Sequence, residues 1–225
     1  MSSYHLYFIK PVSATIKTSH LLAEINTPDT PTEVTKNWIR AIRADIWRTP
    51  YKNVLLVMAA FHISQYLALP VFPLFFVRFL KLTDQDLGIG SALFYVTVLL
   101  GSTQLSFLVR KMGHKNVTGW SVVGLALYPG FLALSSQVWH YYAISILGGL
   151  AFAYVVGASP NYILEKCPEN DRPSHLAWYN IILNSSILLG SLLGPSIAHN
   201  FSLQSALIIF SIARALAGLA ILKWG

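Results

Sequence analysis

The hydrophobic pattern of the chain consists of six long apolar runs separated by short polar segments. Each run approaches the roughly 20 apolar residues that a helix needs to cross the hydrocarbon core of a bilayer. The runs lie near residues 53–80, 86–109, 117–135, 139–164, 175–198 and 202–223. Pro70 and Pro73 should kink or unwind the far end of the first run, and Thr83 and Asp86 form a capping-box pattern that starts the second. The pattern therefore predicts an all-α polytopic membrane protein whose six transmembrane helices form one bundle over residues 51–225.

Residues 1–50 lack this apolar character and predict a short cytoplasmic segment before the bundle. Within it, Thr30, Pro31 and Glu33 form a helix-start pattern, with a capping threonine and a proline in the first turn. The predicted helix covers about residues 31–48, where tryptophan and arginine side chains flank a row of isoleucines. We interpret it as an interfacial amphipathic helix in the headgroup layer. A solvated linker helix is the alternative.

The composition supports a membrane protein, because 54% of the 225 residues are hydrophobic and only 11% are charged. Soluble domains usually carry about 25% charged residues. The net charge of +7 does not predict a nucleic-acid partner, because the basic residues lie mostly between or before the apolar runs. Cys167 is the only cysteine, which excludes an internal disulfide and a cysteine-rich metal site. The sequence predicts no metal ion and no cofactor, and the lipid bilayer is the expected environment.

Basic residues near the ends of the spans predict the orientation, because lysine and arginine are retained on the cytoplasmic side of short loops. If the N-terminus lies inside, only Arg78 and Lys81 lie in outer loops. The ten on the inner side are Arg40, Arg43, Arg48, Lys52, Arg110, Lys111, Lys115, Lys166, Arg172 and Lys223. We therefore predict an integral protein of the plasma membrane with both termini in the cytoplasm.

Small residues recur every four positions in two of the predicted helices. Such stripes let helix backbones approach closely in lipid, where no hydrophobic driving force brings helices together. The stripes are Ser145, Gly149, Ala153 and Gly157 in the fourth helix, and Ser186, Gly190 and Gly194 in the fifth. We predict that they pack helix against helix, and a direct contact with a ligand is the alternative.

Three local patterns occur at particular places in this count of six helices. A basic loop, Arg110-Lys111-Met112-Gly113-His114-Lys115, follows the second helix, and Glu165 to Arg172 joins the fourth helix to the fifth. The fifth helix contains Gly190-Ser191-Leu192-Leu193-Gly194-Pro195. Together these patterns resemble one six-helix half of the major facilitator superfamily. The basic loop departs from the family's pattern, because Arg110 stands where an acidic residue is usual.

The resemblance implies a bundle of two three-helix repeats that transports a small-molecule solute by alternating access and has no enzymatic activity. A complete member resembles two such halves, so we expect this chain to need a second six-helix half or a second copy of itself. The imperfect loop favours the C-terminal half. The residues to which the resemblance gives a role in conformational change are Arg110, Lys111, Gly113, Lys115, Glu165 and Arg172.

Two other functions stay open. The first is a non-transporting fragment of half length, or a membrane partner protein, because one half offers only one wall of a transport cavity. The remote second alternative is an intramembrane hydrolase with Ser159 as its nucleophile. Its histidine base is missing from the last span, and a serine without a base is unreactive.

Ionisable residues within a span are costly and usually mark function. No acidic residue lies in the interior of a predicted span, whereas His62 lies in the first and Arg214 in the last. If transport is coupled to protons, the titrating group is therefore His62 or a carboxylate of the missing half. The alternative is a facilitator, which needs no coupling ion. Arg214 has two interpretations, a structural role and the binding of an anionic substrate.

Other polar residues in the spans either line a cavity or form hydrogen bonds between helices. In the family the first and fourth helices of each half line the cavity, which favours residues of those two helices. The candidates for the substrate pathway are His62, Gln65, Tyr66, Tyr154, Asn161, Asn180, Asn184 and Arg214.

Overall fold

The computed structural model describes residues 43–225, and within this range the chain is helical apart from short connections. Asp45–Gly225 forms one unit. Its helices are α1 (Tyr51–Ala68), α2 (Val71–Arg78), α3 (Asp84–Ala133), α4 (Val138–Lys166), α5 (Arg172–Phe201) and α6 (Leu203–Trp224). Short 3-10 helices occupy Ala44–Arg48 and Glu169–Asp171. The predicted all-α class is confirmed, since the described residues contain no strand. Most of the predicted helix at 31–48 lies outside the described residues.

Among residues 43–225, five helical stretches are long and apolar enough to cross a membrane, whereas the sequence predicts six crossings. They are Tyr51–Arg78, Asp84–Ala133, Val138–Lys166, Glu169–Phe201 and Leu203–Trp224. The difference lies in α3, whose 50 residues are more than twice the roughly 20 that one crossing requires.

Helix α3 does not run straight, because Gly113 interrupts it with a φ of 78° and a ψ of 159°. A positive φ is accessible to glycine because it has no Cβ. Phe94 precedes Gly113 in the sequence and Tyr128 follows it, yet the centroids of their rings are only 6.4 Å apart. One continuous helix would separate these two residues by about 50 Å. Two parts of α3, a first arm (84–112) and a second arm (114–133), therefore fold back on each other.

The first apolar run is divided at a proline, as the sequence predicts. Helix α1 ends at Ala68 and α2 begins at Val71, with Pro70 between them. Proline lacks the N–H that would continue the ladder of hydrogen bonds. Pro73 does not break the helix as expected, because it lies in the first turn of α2, where no N–H partner is needed.

The predicted capping box at the start of the second run is confirmed. The Thr83 side chain accepts a hydrogen bond from the Asp86 N–H at 3.2 Å, and the Thr83 N–H donates to the Asp86 carboxylate at 2.9 Å. These bonds satisfy N–H groups that would otherwise lack partners at a helix start. They fix the point at which the chain enters the first arm.

Helix α6 lies at the centre of the packing, against α1 and against the second arm. Helix α5 packs on α1, and α4 packs on α3. One apolar cluster includes Met58, Val122 and Tyr162, and a second includes Phe75 and Phe210. Each cluster contains residues of α6 and of at least one other helix, so α6 contributes to both parts of the core.

Small residues lie where these helices approach most closely. A Cβ added at Gly190 would come within 2.7 Å of the Tyr66 backbone, and one added at Gly194 would overlap the Leu67 carbonyl group. On α4, the backbone of Phe94 occupies the corresponding space at Gly149, and the Leu105 side chain occupies it at Gly157. Pro195 lies inside α5, directly after Gly194. The glycines of both stripes therefore lie against other helices.

Candidate functional site

Arg214 is the most deeply buried charged residue of the described bundle, with 1% of its surface exposed. Its guanidinium donates to three backbone carbonyls, those of Leu125 at 3.3 Å, Ser64 at 3.3 Å and Gln65 at 3.4 Å. These bonds join α6 to the second arm of α3 and to the last turn of α1. No carboxylate pairs with Arg214 among residues 43–225.

The Leu125 carbonyl accepts from Arg214 because a proline has removed its helical donor. In an α-helix this carbonyl would accept from the N–H four residues later, and that residue is Pro129. The other two carbonyls lie near the C-terminal end of α1, where the helix dipole is negative and favours a cation. Pro129 and the C-terminal end of α1 therefore place electronegative carbonyl oxygens around the guanidinium.

A cavity of about 260 Å³ lies beside this guanidinium. Gln65 and Arg214 are the two predicted pathway residues that line it. The side-chain oxygen of Gln65 is buried and has no hydrogen-bond partner in the described part of the chain. The other polar side chains of the lining are those of Ser91, Tyr95, Tyr128, Tyr141 and Ser145. Among these, only Ser145 is singled out from the sequence, as a member of a small-residue stripe, and the other four are missed. The four-residue spacing of Tyr141 and Ser145 on one face of α4 was the available signal.

His62 belongs to a different cluster, although it lies only three residues before Gln65. Its Nε2 is 2.9 Å from the hydroxyl of Tyr179 on α5, and its ring lies 6.4 Å from that of Tyr66. The structure therefore brings His62 and Tyr66 together with Tyr179, and separately brings Gln65 together with Arg214.

The remaining predicted pathway residues do not join either cluster. Tyr154 donates to the side-chain oxygen of Gln104 at 3.0 Å, which links α4 to the first arm. Asn161 is exposed on α4. Asn180 and Asn184 are exposed on α5, and the Asn184 amide donates to the Asn180 carbonyl at 2.8 Å. That hydrogen bond lies within one helix.

The basic loop and the loop after α4 meet at the same end of the bundle. His114 Nδ1 lies 2.6 Å from a carboxylate oxygen of Glu165. Arg172 pairs with Glu169 at 3.5 Å. Arg110, Lys111 and Gly113 are exposed, and Lys115 is partly exposed. The contact between His114 and Glu165 therefore connects the turn at Gly113 to the end of α4.

The described residues contain no group of three or more histidine, cysteine, aspartate or glutamate side chains that could hold a metal ion. The candidate site therefore consists of one buried guanidinium, amide and hydroxyl groups, and aromatic walls. Such a set can bind and orient a solute through hydrogen bonds and charge.

Comparison with known proteins identifies the family to which this bundle belongs. The sequence model of the Major Facilitator Superfamily matches residues 54–225, which covers the chain from α1 to its end. No curated protein matches the chain significantly. Members of this superfamily are typically transporters rather than enzymes. The chain is an integral membrane protein, and it belongs to the major facilitator superfamily.

Proposed function

We propose that the chain is one six-helix unit of a secondary transporter that moves a small-molecule solute by alternating access. The observation that carries this proposal is the family match over residues 54–225. Transporters built from helix repeats bind their solute near the middle of the membrane and rock one bundle against another. This chain would supply one bundle, and a second six-helix unit or a second copy would supply the other.

Six crossings in two three-helix repeats are part of the proposal. The reversal at Gly113 supports them, because each arm of α3 is long enough for one crossing, which needs roughly 20 residues. The exposed Arg110 and Lys111 beside that turn support a cytoplasmic position for it. Both termini would then also lie in the cytoplasm.

The polar residues support two roles within such a unit. Gln65 and Arg214 border the cavity, so we assign them to solute contact. Asn161, Asn180 and Asn184 are exposed on α4 and α5. Because lipid offers no hydrogen-bond partners, these surfaces fit a second unit or a water-filled pathway better than acyl chains.

The loops at the Gly113 end fit a conformational role. The pair between His114 and Glu165 joins the Gly113 turn to the end of α4, so a movement between these two segments would break it. The same region carries Arg110, Lys111, Lys115 and Arg172. We assign these residues to control of the opening of the two bundles, and His62 with Tyr66 and Tyr154 to the adjoining pathway.

Reconstitution tests the proposal directly. The purified chain is inserted into liposomes as a monomer, as a self-associated dimer, and together with the six-helix unit encoded next to it, if one exists. We expect saturable uptake from a panel of labelled solutes (glucose, alanine, choline and benzoate) in an assembled form, because one bundle provides only one wall of the pathway. The proven monomer should be inactive.

Flux through a proven monomer would contradict the half-transporter assignment. An absence of uptake by every folded, assembled form, across a wider solute panel, would contradict transport and favour a non-transporting membrane partner. Liposomes without protein and liposomes with the heat-denatured chain provide the background.

A further inference from the structure

We propose that the cavity beside Arg214 binds organic monocarboxylates, with Arg214 as the residue that recognises the carboxylate. This inference rests on the proposed function, since it names the class of solute that the unit accepts. Its evidence is the unsatisfied charge of Arg214, the polar groups around it and the aromatic walls of the cavity.

The guanidinium of Arg214 is not fully satisfied by the described residues. A guanidinium has five N–H donors, and three hydrogen bonds are made here. Their lengths of 3.3–3.4 Å exceed the usual 2.9–3.0 Å of such bonds. The Nε atom is buried and has no hydrogen-bond partner among residues 43–225. Arg214 therefore retains both a positive charge and free donors beside the cavity.

A carboxylate can both neutralise the positive charge of Arg214 and accept hydrogen bonds from its free N–H groups. It carries one negative charge and accepts several N–H bonds in the plane of the guanidinium. A buried charge without a counter-charge is costly, and an anion entering the cavity would offset part of that cost. A cation would be repelled, and a neutral amide would leave the charge uncompensated.

The other groups of the cavity indicate how the rest of the solute would lie. Ser145 lies beside the hydroxyls of Tyr128 and Tyr141, and these groups can donate to a second carboxylate oxygen. The remaining walls include aromatic rings, among them Phe94 and Phe152. An apolar cavity of about 150 Å³ holds benzene, so about 260 Å³ accommodates a ring with a carboxylate. The site thus fits an anion with an apolar body.

The cavity has an entrance. Leu69 and Tyr95 both line it and yet are 47% and 67% exposed. A solute can therefore approach between the end of α1 and the first arm of α3. The described lining contains one guanidinium and no second cation, so a monoanion matches the charge of the site better than a dianion.

Equilibrium binding tests this inference without requiring transport. The full chain in lipid nanodiscs is titrated with radiolabelled benzoate, at a slightly alkaline pH where benzoate is an anion. Benzamide, which has the same shape without the charge, is the competitor to compare. We expect saturable benzoate binding and at least about tenfold weaker competition by benzamide, because a hydrogen bond to a charged group exceeds its neutral counterpart.

Ser145→Ala is the site variant, because it removes one hydroxyl without removing a charge. We expect it to weaken benzoate binding about three- to tenfold, the usual net effect of one hydrogen bond. Ser196→Ala on α5, outside the cavity lining, is the matched control and should bind benzoate normally.

Equal competition by benzamide would overturn the inference, and so would equal competition by chloride, which lacks an organic body. The inference and the proposed function can fail separately. Uptake of a neutral solute without benzoate binding would overturn only the inference. Benzoate binding without flux in any assembled form would overturn only the transport proposal.

Discussion

The Arg214→Met variant of the assembled carrier should lose solute uptake by more than about tenfold and still fold. Uptake falls because the variant lacks the only cation that borders the cavity in the described part of the chain. Methionine has a similar length and is flexible, so it can fill the space of the arginine stem.

Folding should survive because two effects nearly cancel. Methionine leaves the Leu125 carbonyl without a donor, since Pro129 cannot supply one, and one such buried group costs about 1–3 kcal/mol. The substitution also removes a buried charge that has no counter-charge among the described residues, and this relieves a penalty of several kcal/mol. We therefore expect a melting temperature equal to or above that of the native chain.

The measurement combines uptake with a thermal melt at matched expression. Arg78→Met, at the exposed end of α2, is the control and should change neither. If Arg214→Met unfolds the protein, its guanidinium is a structural element first. If uptake is unchanged, Arg214 does not contact the solute.

The Gly194→Val variant should fail to form a stable bundle. A Cβ at this position would overlap the carbonyl group of Leu67, and backbone cannot move aside as a flexible side chain can. Helices α1 and α5 would have to separate, and overpacking of this kind typically costs about 1–3 kcal/mol. Separation would also lengthen the His62–Tyr179 contact that joins the same two helices. Size-exclusion profiles and thermal melts in detergent would measure the loss.

Gly88→Val is the matched control for this prediction. Gly88 also lies in a helix, but nothing lies within 4 Å of a Cβ built there. The same change of residue should therefore leave the melting temperature unchanged or slightly higher, because glycine is a poor helix former. Equal melting temperatures for the two variants would contradict the close packing of α1 on α5.

Local physical rules allowed much of the fold to be predicted from the sequence. The sequence predicts the fourth run at 139–164, and the helix is Val138–Lys166, because hydrophobicity and length alone define such a helix. The capping pattern at Thr83 and the turn at Gly113 were also local signals. The kink expected at Pro73 is absent, because the effect of a proline depends on where the helix begins, and the break at Pro70 sets that start.

The candidate site could be predicted only in part, because its contacts join distant residues. Arg214 was identifiable as a charge within a span, but its partner Leu125 lies 89 residues away. The sequence shows that Pro129 leaves the Leu125 carbonyl without its helical donor, but no periodic pattern indicates that this carbonyl faces α6. The aromatic and hydroxyl groups of Tyr128 and Tyr141 are missed for a different reason, because tyrosine in a span usually only packs.

The proposed transporter unit depends most directly on six crossings with the Gly113 turn in the cytoplasm. Single cysteines at Lys111 and at Ser136, both exposed positions, can test this with a membrane-impermeant maleimide. Cys167 is replaced by alanine first. It is 5% exposed and burial raises the pKa of its thiol, so the native cysteine would react slowly.

Labelling of intact cells and of inside-out vesicles is then compared for the two variants. We expect the Lys111→Cys variant to react only in inside-out vesicles and the Ser136→Cys variant only in intact cells, because the second arm of α3 crosses the membrane between them. Reaction of both cysteines from the same side would contradict that crossing. Reaction of each from the opposite side to the one expected would reverse the orientation and contradict the cytoplasmic turn.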